Sequence, residues 1–160
     1  METVRVVRSR DRVVLLGVLR LVLGLVLAGL ALTRVGRDQL VLGLVLGSLC
    51  FGVVGGLRQL DLARGHVVEG LPDGTVVIRP LRSALSGLLP SSVGVFVLGC
   101  GSLLFDSLLT PLLAGMLIGM ALATFASFAQ ITSDERLRRH RIYTALDAPT
   151  RTFVVPVRSR

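Results

Sequence analysis

Few residues in this chain are placed to do chemistry. Arg20 is the one strong base inside a long apolar run. A charge in such surroundings costs free energy unless it is paired or reaches water. It lies seven residues past Val13, about 10 Å along a helix that rises 1.5 Å per residue. At that depth the long side chain is expected to snorkel to the nearer interface, with an ion pathway as the alternative role. Asp106 closes a later apolar run, with Ser102 four residues earlier on the same helical face. A proton- or cation-coupled carrier would place a carboxylate nearer mid-membrane, so Asp106 reads more simply as an interfacial residue that ends a span.

His66 and His140 are the only histidines. They would make a metal or pH-sensing pair only if the regions carrying them dock together, and no ligand set accompanies either. Cys50 and Cys100 both fall within apolar runs and outside any CxxC spacing, where a thiol behaves as a small apolar group. Walker A, HExxH and GxSxG patterns are missing, as are paired carboxylates within the apolar runs. The expectation is a protein that is not an enzyme and carries no cofactor or metal.

The elements that must position these residues follow from hydropathy. The chain has 160 residues, 52% of them hydrophobic, and its mean hydropathy is +0.76. The apolar residues come in long runs, whereas soluble domains alternate apolar and polar faces. A helix needs about 20 apolar residues to cross a hydrocarbon core roughly 30 Å thick. The runs predict four spans: Val13 to Thr33, Leu40 to Leu57, Ser92 to Leu109, and Leu112 to Ile131, with Pro111 marking a tight turn. The fold class is therefore an all-α membrane protein of four transmembrane helices arranged as two parallel-oriented hairpins. Its parts are an N-terminal segment 1–12, hairpin 13–57, a polar loop 58–91, hairpin 92–131, and a basic tail 132–160. A cleaved signal peptide at the N-terminus is disfavoured, because Arg20 interrupts the apolar stretch.

All 18 basic residues are arginine, and the formal net charge is +8. With four spans, fifteen of these arginines fall on the face shared by segments 1–12, 58–91 and 132–160, and only Arg34 and Arg37 on the other. The excess of basic residues on cytoplasmic loops puts both termini and the central loop in the cytoplasm of a bacterial plasma membrane. Anionic headgroups are the expected partner of that face. Nucleic acid is not, since Tyr143 is the only Tyr or Trp and stacking platforms are lacking.

The two halves read as an internal duplication, with chance similarity in a Leu-, Val- and Gly-rich chain as the rival. Gly43-Leu-Val-Leu-Gly47 parallels Gly115-Met-Leu-Ile-Gly119, His66 parallels His140, and Thr75-Val-Val-Ile parallels Thr152-Phe-Val-Val. After each hairpin, β-branched runs surround a turn signal, Pro72-Asp-Gly74 in the first half and Asp147-Ala-Pro149 in the second. Each predicts a short β-hairpin. Two readings stand for these extensions: one small cytoplasmic sheet shared by both hairpins, with Thr3 to Val7 adding a strand, or a disordered basic tail. Gly43 with Gly47, and Gly52 with Gly56, are small-residue pairs expected to face two different neighbours, and Gly115, Gly119 and Ala123 form a stripe for close helix packing. These readings converge on a non-enzymatic structural or regulatory membrane protein, with a homo-oligomer or membrane partner protein as possible company. The alternative is a small oligomeric transporter or channel.

Overall fold

The computed structural model describes residues 5–62, 67–69, 75–77, 91–104, 108–145 and 152–156. Strand β1 (Arg5–Arg8) runs without a linker into helix α1 (Ser9–Leu32), whose first turn carries Asp11, favourably placed at the positive end of a helix. The apolar run therefore begins one turn inside the helix rather than at its start. At the far end the Thr33 hydroxyl and amide both donate to the Leu30 carbonyl, at 2.7 and 3.3 Å, and the Arg34 and Val35 amides donate to Ala31. Residues 33–36 then reverse the chain into α2 (Arg37–Leu62).

Beyond α2 come two short strands, β2 (Val67–Glu69) and β3 (Val76–Val77), then helix α3 (Ser92–Ser102) and helix α4 (Leu109–Arg138). Among the described residues, three helices, α1, α2 and α4, are long and apolar enough to cross a membrane. The third expected span is shorter than its apolar run: α3 has 11 residues and stops at Ser102, a rod of about 16 Å. Pro111 also departs from expectation. It is buried in the first turn of α4, where a missing amide hydrogen costs no helical bond. The turn lies before it.

Packing does not follow chain order. Helix α4 lies against both α1 and α2, whereas α1 and α2, joined by a four-residue turn, touch each other little. Small residues explain the choice. α4 turns Gly115 and Gly119 toward α2, and Ala114 and Leu117 pack with Leu27 and Ala28 of α1. Both neighbouring backbones can therefore approach it closely. The α1–α2 hairpin offers bulky Val22, Leu25, Val41 and Leu42 that remain exposed. The helices thus form a bundle centred on α4, with α1 and α2 each packed on it more than on one another.

At one end of the bundle, β1, β2, β3, β4 (His140–Ala145) and β5 (Thr152–Pro156) make one five-stranded sheet in the order β2-β5-β4-β1-β3. β4 and β5 form the second expected hairpin, antiparallel with Ile142 opposite Val154. β1 pairs antiparallel with β4, Val7 opposite Thr144. The first expected hairpin does not form. Its strands sit at opposite edges of the sheet, β2 parallel to β5 and β3 parallel to β1. Strands of three and two residues cannot sustain a hairpin of their own. Each gains more from a longer neighbour already ordered by the helices. Val6, Ala145 and Phe153 form the sheet's buried cluster, with Tyr143 packed against it.

Candidate functional site

Arg20 occupies the middle of α1 and turns inward. Its Nε donates to Ser92 Oγ and its Nη1 to Thr124 Oγ1, each at 3.0 Å. Both hydroxyls are fully buried. The Thr124 hydroxyl donates onward to the Met120 carbonyl at 2.6 Å, so its oxygen lone pairs are free to accept from the guanidinium. One side chain thereby ties α1 to α3 and α4. This differs from the snorkelling expected from depth alone: two hydroxyls within reach offer the cation a closer polar shell than the distant interface. Among the described residues, no carboxylate lies within 4 Å of the guanidinium. Ser92, in the first turn of α3, turns its hydroxyl to Arg20, and Ser91 at the N-cap makes no side-chain capping bond.

The heights of these residues carry information. Arg20 and Ser92 are 72 residues apart, and so are Leu27 and Gly99, which also touch. Helix α3 therefore runs parallel to α1 and in step with it. It begins level with Arg20 and covers only the second half of α1. The same separation recurs at the other seam, where a Cβ placed on Gly115 would lie 3.0 Å from the Gly43 carbonyl oxygen.

That α2–α4 seam brings two helix backbones into direct contact. A Cβ on Gly43 would come 2.6 Å from Pro111 Cβ, one on Gly115 2.5 Å from the Leu44 carbonyl oxygen, and one on Gly119 2.6 Å from the Ser48 carbonyl oxygen. On Gly47 it would collide with the Leu112 carbonyl oxygen. The Ser48 hydroxyl donates across the seam to Gly115 at 3.1 Å. Gly52 faces α4 as well, at an ordinary 3.7 Å from Gly119. It does not face a second neighbour, because it lies on the same side of α2 as Ser48. Gly56 is within α2, but its surroundings lie outside the described residues. Ala123 is buried on α4.

A second polar group joins bundle to sheet. Glu135, near the end of α4, accepts the Ile142 amide at 3.0 Å and pairs with Arg8 at 3.5 Å. Asp134 pairs with Arg138 at 2.9 Å, and His140 Nε2 lies 3.8 Å from its other oxygen. Between them Arg139 takes a left-handed conformation, φ 52°, costly for a residue with a Cβ. It turns the chain directly from α4 into β4. The Ser9 and Thr144 hydroxyls share a 2.6 Å hydrogen bond, and the Arg10 guanidinium sits 5.5 Å from the Phe128 ring centre, within cation–π range.

His66 and Asp106 lie outside the described residues, so a pairing of His66 with buried His140 is not on view. Ser102 donates to the Gly99 carbonyl and bonds the Thr110 hydroxyl at 2.7 Å, joining α3 to α4. Among the described residues no group of three or more His, Cys, Asp or Glu side chains converges as a metal site would require, and Cys50 and Cys100 are free thiols. The roles of Thr124, Ser48 and Thr110 as polar partners were not foreseen from sequence. Their signal was present, since each is a hydroxyl interrupting an otherwise apolar run. Comparison with family models, curated proteins and solved structures finds no match.

Proposed function

We propose that this chain is a four-span integral protein of a bacterial plasma membrane, with both termini cytoplasmic, and that it serves as a non-enzymatic structural or regulatory component. One observation carries the reading. β1 precedes α1, β2 and β3 follow α2, and β4 and β5 follow α4, yet all five share one sheet. Strands can pair only on one side of a membrane, so the chain between each group must go out and return. That fits an even number of crossings, the third lying between β3 and α4, with α3 supplying about 16 Å of it. It also gathers Arg5, Arg8, Arg136 and Arg141 on the side where positive charge belongs. The contacts 72 residues apart support the internal duplication, because a repeat rotated about the membrane normal keeps equivalent residues at equal height.

The sheet is joined to α1 and α4 without linkers, so it would report bundle geometry to whatever docks on it. Anionic headgroups are its nearest partner, each arginine near such a surface contributing about 1 kcal/mol. Reporter fusions test the topology. Arg160 should give a cytoplasmic signal and the Arg34–Gln39 link a periplasmic one; a periplasmic Arg160 would refute the even-span reading. The inward turn of Arg20 favours one other reading, a small oligomeric transporter or channel. In that case solute flux into proteoliposomes should be measurable and should fall on Arg20→Ala.

A further inference from the structure

Arg20 differs from the other charged side chains of the bundle in what surrounds it. Its two partners are neutral hydroxyls, and the bonds they accept use Nε and one hydrogen of Nη1. A guanidinium has five N–H donors. The second Nη1 hydrogen and both on Nη2 are left over, and among the described residues no other partner reaches them. Adjacent donors on Nη1 and Nη2 match two oxygens of one phosphate, the geometry for which arginine is better suited than lysine. By contrast, Arg8 and Arg138 each face a carboxylate. The cation is also held in place: Ser92 and Thr124 fix it from α3 and α4, and both hydroxyls are buried. It is also only partly buried. α3 begins level with Arg20, whereas α1 continues to Ser9, about 16 Å further toward the sheet, and α4 continues from Thr124 to Arg138, about 21 Å. Among the described residues, the guanidinium therefore lies level with the start of α3, on the arginine-rich side.

We infer that Arg20, oriented by Ser92 and Thr124, is a binding site for a phosphate oxyanion, supplied by a phospholipid headgroup or by free inorganic phosphate. The bound anion neutralises a charge that the described protein leaves unpaired. The inference rests on bundle geometry, so a failed topology reporter would leave it standing.

The test uses the full chain in a nonionic detergent. Thermal unfolding is followed by helical circular dichroism while inorganic phosphate is titrated at constant ionic strength. A parallel series adds phosphatidylglycerol or, as control, phosphatidylcholine to the micelles. Near-saturating ligand should raise the midpoint by about 5 °C, and Arg20→Gln should abolish the rise. A response to phosphate identifies the free anion as a source; one to phosphatidylglycerol alone identifies the lipid. Should Arg20→Gln fail to fold, Arg20→Lys keeps the charge without the fork and should weaken the response about tenfold, while Arg136→Gln and Arg141→Gln, both exposed, should leave it intact. No response in the wild-type protein, or one undiminished by either Arg20 substitution, overturns the site and leaves Arg20 as a tie between helices.

Discussion

Gly47→Ala is a small change whose consequence is set by one seam. A methyl group at position 47 would collide with the Leu112 carbonyl oxygen, lie 2.8 Å from the Met116 nitrogen and 3.0 Å from the Gly115 carbonyl carbon. All three are backbone atoms of α4, so no side chain can swing aside and the helices must separate. Overpacking of this kind costs about 1–3 kcal/mol. The separation also weakens the Ser48–Gly115 bond, worth about 1 kcal/mol. Against this stands the better helix propensity of alanine, about 1 kcal/mol. The expected net loss is about 2 kcal/mol, or roughly 4–8 °C in midpoint for a chain of this size. Gly29→Ala is the matched control, since nothing lies within 4 Å of a Cβ there, and it should stabilise by up to about 1 kcal/mol. Both variants are read by thermal unfolding in detergent. Equal stability of Gly47→Ala and Gly29→Ala would refute the claim that backbone proximity between α2 and α4 holds the bundle.

Other perturbations separate the remaining contacts. Gly99→Ala should cost less than Gly47→Ala, because the clash is with the end of the Leu27 side chain, which can change rotamer; the same melting assay ranks the two. Glu135→Ala leaves the Ile142 amide and Arg8 without their shared partner, and should destabilise the junction by about 1–3 kcal/mol, seen as faster hydrogen exchange at Ile142 with helix exchange unchanged. Phe153→Ala empties the sheet cluster at a cost of about 3–5 kcal/mol; limited proteolysis should then cut within 140–156 while α1, α2 and α4 stay protected. Ser102→Ala breaks the link to Thr110 and should lower the midpoint by a few degrees, corresponding to about 1 kcal/mol.

Much of the local structure was legible from the amino acids. Helices satisfy their backbone bonds within a few residues, so the apolar runs around Val13, Leu40 and Leu112 announced α1, α2 and α4. The β-branched runs beside Asp147-Ala-Pro149 likewise announced β4 and β5. Glycine at 43, 47, 115 and 119 marked places where something must come close, though not which helix would come. The candidate site was only half visible. Arg20 stood out as a charge in an apolar run, but depth along its own helix pointed it outward.

Sequence alone thus determined which segments are helical, where arginine accumulates, and which helix faces are small enough for close approach. Tertiary structure decided the partners. α4 took the place between α1 and α2 because its small residues lie on two sides, and the strands after α2 parted because neither is long enough to hold the other. Arg20 turned inward because Ser92 and Thr124, 72 and 104 residues away, arrive beside it only when α3 and α4 have docked. Hydrogen bonds along a helix are local and can be read residue by residue. The surroundings of a buried charge are assembled from distant parts of the chain, and they exist only in the folded molecule.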